Sequence, residues 1–261
     1  MNESELIFGI MASLGRTRYS FEHLTKLTSP FGISENSLRT ALSRMKSRGI
    51  VLSERIARNA FYSFTRKGGT IKRNVAYGFK TPDWSGWDWK WRGAAFSAPD
   101  PKLRHKIRSK LIAYRFAPLY PGFWIRPLHS SEPVEEQFSL FIESGHTVLM
   151  EISRIPEVSV PNLIRIWNLD KISEIFAEGI AVLEKKLDES SGYPPEKAFI
   201  EKMNVGGYII GILSKDPLLP EMLLPVNWAG KRLRDLFTQW ESVINVLSEP
   251  LIEKIFQRGE D

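Results

Sequence analysis

The chain has 261 residues, 43% of them hydrophobic and 25% charged, which predicts two or three folded domains and excludes wholesale disorder. Cysteine is absent, so disulfides, thiolate metal clusters and cysteine nucleophiles are excluded together. The net charge of +6 is uneven: residues 1–80 carry 14 Lys/Arg against 5 Asp/Glu, residues 81–130 carry 9 against 3, and residues 131–261 carry 13 against 22. A basic first half joined to an acidic second half fits a polyanion binder with a separate regulatory or assembly part.

The start, Met1-Asn2-Glu3-Ser4-Glu5, is acidic where a secretory signal is basic. No apolar run approaches the ~20 residues that cross a bilayer, so a soluble cytoplasmic protein without a membrane partner is expected. Leu6, Ile7, Ile10, Met11 and Leu14 lie on one face of a helix over residues 3–14 that Gly15 ends. Ser20 caps a short second helix carrying Leu24 and Leu27, before the Ser29-Pro30 break.

The third helix is the most informative. Ser34 is its N-cap and Gly49 its C′ residue, and Leu38, Ala41, Leu42 and Met45 fall at i, i+3, i+4 and i+7. The opposite face presents Asn36, Ser37, Arg39, Thr40, Ser43, Arg44 and Ser47, with Lys46 beside them and Glu35 its one acid. Arg reads guanine edges, Asn reads adenine, and Ser, Thr and Arg grip phosphates, so this face suits a major groove. A solvated cationic helix face is the plainer reading of the same residues. Ile50-Val51-Leu52 and Phe61 to Phe64 read as two strands, joined by a basic segment that holds Arg55 and Arg58 and turns at Asn59-Ala60. Two helices, a polar third helix and a basic hairpin make a winged helix, whose third helix enters the major groove while the wing reaches backbone or minor groove. The candidate DNA-binding set is therefore Ser34, Asn36, Ser37, Arg39, Thr40, Ser43, Arg44, Lys46, Ser47, Arg55 and Arg58. Thr65 caps a further helix over residues 66–77.

Residues 79–84 read as a linker, and the alternating Trp87-Asp88-Trp89-Lys90-Trp91 as the start of a strand that continues through Gly93 to Phe96. Pro101 opens a helix with Leu103, Ile107, Leu111 and Tyr114 on one face and Arg104, Arg108 and Arg115 on another. Strand-like pieces recur at 122–128, 138–142 and 147–152, with a second helix expected within 131–140. The unit reads as a ferredoxin-like α+β sandwich. Its tryptophans suit either a packed sheet face or a stacking platform for single-stranded nucleic acid; period two favours packing. From Pro161 the pattern is helical, with a break near 170–173, a turn at 190–195, helices over 198–213 and 228–256, and a split at Pro250. The organisation expected is a DNA-binding domain over 1–80, an α+β domain over 85–158 and a helical dimerisation and effector domain over 160–261, which makes the chain multidomain α+β.

No nucleophile elbow, P-loop or glycine fingerprint occurs, and His23, His105, His129 and His146 show no ligand spacing, so neither catalysis nor a metal nor a cofactor is expected.

The segment Gly32-Ile33-Ser34-x-x-Ser37-Leu38-Arg39-x-Ala41-Leu42-Ser43-Arg44-Met45-x-x-Arg48-Gly49, followed by Tyr62-x-Phe64-Thr65-x-x-Gly68, resembles the winged-helix head of PaaX-like repressors, the regulators of phenylacetic acid catabolism. The resemblance continues through Trp87 to Phe96, Pro121 to Pro127, Trp167-x-Leu169 and the proline-punctuated segment Asp216 to Gly230, so it spans nearly the whole chain. The wing departs from it in having Asn59-Ala60 where the family more often has Gly-Arg. The resemblance implies a repressor that binds a double-stranded DNA operator as a homodimer and is released by an effector, typically an aromatic acyl-coenzyme A thioester such as phenylacetyl-CoA. Arg104, Arg108, Trp124 and Arg126 are the residues that suit such a phosphate-bearing, apolar-tailed ligand. An RNA or single-strand binding module using the middle-domain aromatics is the competing expectation.

Overall fold

The computed structural model describes residues 2–57, 59–77, 82–129, 134–153, 155 and 165–257. Contacts divide the chain into two compact units: residues 1–80, 176–214 and 230–261 form the first, and residues 81–175 and 215–229 the second.

In the first unit, α1 (Glu3–Leu14) starts from a capping box in which Asn2 and Glu5 satisfy each other's backbone N–H groups. A two-residue strand, β1 (Tyr19–Ser20), leads into α2 (Phe21–Thr28), and Ser20 accepts a hydrogen bond from the His23 N–H as its N-cap. After a 3₁₀ turn, α3 (Glu35–Ser47) is capped by Ser34 and ended by Gly49 at φ 66°. Strands β2 (Val51–Ile56) and β3 (Asn59–Phe64) follow, then α4 (Arg66–Tyr77). The sheet order is β1-β3-β2, all antiparallel.

The hairpin is longer than its sequence suggested. Ile56 pairs with Asn59, so the reversal falls earlier than Asn59-Ala60, and Ala57 takes the left-handed conformation at φ 52°. Ladder pairing along both strands outweighs the cost of that one residue. Gly68 is required where α4 meets the hairpin: a Cβ there would lie 2.1 Å from the Ile50 carbonyl oxygen. Thr65 Oγ1 holds the same corner, donating to the Gly49 carbonyl (2.6 Å) and accepting from the Gly68 N–H (3.1 Å).

The remaining helices of this unit are most of α7 (Leu169–Ser190), α8 (Pro195–Leu213) and α9 (Gly230–Gln257). The expected interruption at 170–173 falls instead at Asn168, which adopts φ 54°. The expected split at Pro250 does not occur. Leu251, Ile252, Ile255 and Phe256 beyond it pack on the core, and that burial outweighs one lost helical hydrogen bond. Helix α7 approaches its neighbours through Gly179, where a Cβ would stand 3.2 Å from Ile212 and Leu233.

Phe199 and Met203 of α8 and Ile255 and Phe256 of α9 share one core with Ile7, Ile10, Leu24, Leu38, Leu42 and Met45 of the first three helices. Phe31 meets Phe199 edge-on at 5.8 Å, His23 lies 4.5 Å from Phe256, and the Arg16 guanidinium sits 3.7 Å over the Phe256 ring. The C-terminal helices therefore complete the core that supports α3.

The second unit runs β4 (Trp91–Phe96), α5 (Pro101–Ala113), β5 (Ala117–Tyr120), β6 (Phe123–Pro127), α6 (Val134–Glu143), β7 (Thr147–Ile152), with sheet order β5-β6-β4-β7 and every pair antiparallel. That βαββαβ order is the ferredoxin-like α+β arrangement. Residues 138–142, which read as a strand, belong to helix α6. A short apolar run does not distinguish the two periods, and Phe138 is buried among Ile107, Leu111 and Trp124 on the helix-covered face of the sheet. Strand β5 went unread because Pro118 interrupts it; as an edge strand it tolerates proline.

The tryptophan ladder is not a strand. Pairing begins only at Trp91, and Trp89 adopts φ 64°. Trp87 packs against Trp84, Trp89 and Trp91 at 6.0, 5.0 and 5.3 Å. Trp91 in turn stacks on Trp167 within a second core containing Ile125, Leu169, Leu219 and Leu223. No helix among the described residues is long and apolar enough to cross a membrane.

Candidate nucleic-acid interface

Helix α3 buries Leu38, Ala41, Leu42 and Met45 and leaves the other side open. Ser34, Asn36, Arg39, Thr40, Ser43, Arg44, Lys46 and Ser47 are exposed, and Ser37, whose N–H binds the Ser34 cap, is half-buried. All nine lie on one helix or its cap, within one continuous polar surface.

These residues are prepared differently. Arg39 places its guanidinium 4.1 Å from the Phe21 ring centroid and 3.4 Å from the Glu35 carboxylate, and both side chains of that ion pair are 61% exposed. Such a pair contributes at most about 1 kcal/mol, so it orients the arginine without preventing its departure. Arg44 makes no ion pair or hydrogen bond through its side chain among the described residues. Lys46 Nζ donates to Ser53 Oγ at 2.8 Å, which ties α3 to the hairpin. Thr40 and Ser47 hydroxyls return to the carbonyls of Asn36 and Arg44.

Arg55 is exposed on β2. Arg58 lies outside the described residues, as do residues 79–81 of the expected linker and the helix start expected at Pro161. Three cations that the sequence reading left out border the same surface. Arg48 caps α3 and accepts, through its carbonyl, a 2.7 Å hydrogen bond from Lys67 Nζ. Arg18, just before β1, lies 5.3 Å over the Phe61 ring of β3. The pairing of β1 with β3 brings Arg18 there, and a strand of two residues has no periodicity to announce it.

The residues expected to hold the effector differ in exposure. Arg104 and Arg108 are exposed on α5, where Arg104 donates to the Ala98 carbonyl at 2.9 Å. Trp124 is buried in the core between sheet and helices. Arg126 is buried on β6, with Nη1 bonded to the Tyr114 carbonyl at 2.9 Å and the guanidinium 5.8 Å from the Phe116 ring. Nearby, Lys110 Nζ lies within 6 Å of the rings of Tyr114, Phe138 and Phe141, and loss of hydration there lowers its pKa.

The tryptophans are engaged internally. Trp84, Trp87 and Trp167 donate their indole N–H groups to the carbonyls of Leu218, Lys90 and Arg115, and Trp89 alone of the ladder is largely open, at 48% exposure. This arrangement builds a core rather than a row of stacking faces.

Three family models match in order: PaaX-like protein over residues 7–68, PaaX protein central Cas2-like domain over 85–155, and PaaX-like protein C-terminal domain over 167–254. A curated relative, the transcriptional repressor PaaX of Escherichia coli, is 29% identical over 224 residues, covering 82% of this chain and 70% of its own length. Among solved structures, the uncharacterized protein Rv0674 from Mycobacterium tuberculosis superposes with a TM-score of 0.62 at 20% identity, covering 95% of this chain and 97% of the other. That likeness is one of fold.

Proposed function

The chain belongs to the PaaX-like protein family, and on that footing we propose that it is a transcriptional repressor, a regulator rather than an enzyme, that binds double-stranded DNA through the exposed face of α3. The reading rests above all on one observation: α3 is anchored through Leu38, Ala41, Leu42 and Met45, while its hydroxyl, amide and cationic side chains, the half-buried Ser37 apart, are exposed. The first unit is taken as a winged helix, with α3 entering the major groove and the β2–β3 hairpin following the backbone. Arg44 reads a base without first breaking a contact, and Arg39 does so on leaving Phe21 and Glu35. Ser34, Ser43, Ser47, Lys46, Arg48 and Arg55 neutralise or bond phosphates.

The functional form proposed is a homodimer on an inverted repeat, so that two copies of α3 meet successive major grooves. The effector implied by the family resemblance is an aromatic acyl-coenzyme A thioester, which weakens DNA binding only by preferring the form that does not bind DNA.

The deciding experiment compares binding of the full chain to duplex DNA from upstream of its own gene with binding to a scrambled duplex and to the separated strands, with and without phenylacetyl-CoA. Selective duplex binding that the thioester weakens is expected. Arg39→Ala or Arg44→Ala should each cost about 1 to 3 kcal/mol and relax preference at one base pair. Equal affinity for upstream and scrambled duplexes refutes the reading. An unchanged affinity with the thioester present removes the effector alone.

A further inference from the structure

Helix α5 carries Lys102, Arg104, Lys106, Arg108 and Lys110 in 13 residues and no acid. Lys102, Arg104, His105, Lys106, Arg108 and Ser109 are all exposed. Helical geometry sets them in two rows, Lys102/Lys106 and Arg104/Arg108, on either side of a line through His105 and Ser109, with a step of about 6 Å within each row.

This arrangement works against the helix that displays it. Like charges at i and i+4 repel, and cations in the first turn oppose the helix dipole. The carboxylate at its start, Asp100, is occupied as N-cap by the backbone N–H groups of Lys102 and Leu103. Among the described residues Lys102, Lys106 and Arg108 make no side-chain ion pair or hydrogen bond, and Arg104 bonds only the Ala98 carbonyl. Several exposed helical cations elsewhere in the chain are paired. Lys26 pairs with Glu22, Lys171 with Glu174, Lys185 with Glu189, and Arg232 with Glu184. Four exposed cations on two adjacent rows of one helix, without a carboxylate partner among the described residues, keep a local conflict of the kind that marks a functional surface.

We propose that the outer face of α5 is a second nucleic-acid contact, which grips the phosphate backbone of duplex DNA without reading bases. The proposal rests on the reading of the chain as a duplex-binding protein. The four cations are exposed, and Trp124, the aromatic expected beside Arg104 and Arg108, is buried in the core. A small acyl thioester needs a concave, largely apolar pocket, whereas a charged polymer needs only matched cations over several steps of its backbone. Residues without side-chain partners in the free protein are also those that gain most from phosphates.

The test uses the full chain with all four cations replaced, Lys102→Gln, Arg104→Gln, Lys106→Gln and Arg108→Gln, and measures binding by fluorescence anisotropy to long upstream and scrambled duplexes from about 50 to 200 mM salt. Each phosphate contact contributes about 0.9 to the slope of log affinity against log salt, so the slope should flatten by about 2 to 4 on both duplexes. The ratio of upstream to scrambled affinity should not change. The charge-preserving set Lys102→Arg, Arg104→Lys, Lys106→Arg and Arg108→Lys should keep the original slope. An unchanged slope and affinity in the glutamine variant overturns the proposal, as does an unchanged slope accompanied by loss of the response to phenylacetyl-CoA, which makes the face a small-anion site. The paired variant Arg39→Ala/Arg44→Ala separates the two readings. If it leaves selectivity intact while the glutamine variant loses slope, the role given to α3 fails and that of α5 stands; the reverse result retains α3 and removes α5.

Discussion

Replacing Phe199 with Ala tests whether the C-terminal helices are part of the structure that presents α3. Phe199 lies on α8, yet its side chain is fully buried in the core of the first three helices, edge-on to Phe31 at 5.8 Å and beside Met203. The substitution leaves a cavity where a whole ring had been, which costs about 3 to 5 kcal/mol. Against a typical domain stability of about 5 to 15 kcal/mol this is a large fraction. Because the cavity opens onto the head, the loss should reach α3 as well as α8. Amide hydrogen exchange under native conditions resolves the two: Leu38, Ala41, Leu42 and Met45 should lose protection together with the amides of α8, by a similar free energy. Urea unfolding followed by far-UV circular dichroism should shift to a lower midpoint. If the α3 amides keep wild-type protection while those of α8 lose theirs, the head folds by itself and the shared core has no energetic meaning.

Gly68→Ala places a methyl group 2.1 Å from the Ile50 carbonyl oxygen and 2.9 Å from the Phe64 ring. That carbonyl already accepts from the Thr65 N–H at 3.0 Å and has little freedom to retreat, so a loss of about 3 kcal/mol is expected in denaturant unfolding. Gly69→Ala, whose Cβ meets nothing closer than the Arg73 guanidinium at 3.8 Å, should be neutral or stabilising by about 0.5 to 1 kcal/mol. Similar effects for the two refute the steric account. His23 has a pKa lowered from the ordinary 6.5, first by burial and then by the Lys26 and Arg16 cations, with Glu22 opposing them. The unfolded chain therefore takes up this proton more readily than the folded one. The contribution of His23 is fully present above the unfolded pKa and declines as the pH falls through 6.5 toward the folded value. Melting temperatures at about pH 8 and pH 5 should differ more for the wild type than for His23→Gln, and equal differences would remove His23 from the acid response.

What the amino-acid sequence settled by itself was local. Ser20 and Ser34 cap α2 and α3 where their side chains promised, and Gly15 and Gly49 end α1 and α3 in left-handed conformations. Asp100 caps α5 just ahead of the Pro101 that was read as its start. Each of these features needs only neighbours three or four residues away, and the bare polar face of α3 follows from the same short period. Beyond the pairing of the adjacent strands β2 and β3, partner choice was not legible in local spacing. Period two at Trp87, Trp89 and Trp91 imitates a strand, but a strand exists only where another strand meets it, and β6 and β7 meet β4 from Trp91 onward. Phe138 to Ile142 suits either period, and burial against Ile107 and Leu111 accompanies the helical one. Pro250 reads as a helix break until Ile255 and Phe256 are seen to have a core to enter. The joining of residues 199–203 and 255–256 to the first 64 depends on which distant apolar surfaces fit together, a relation that no window of sequence contains and that only the folded chain decides.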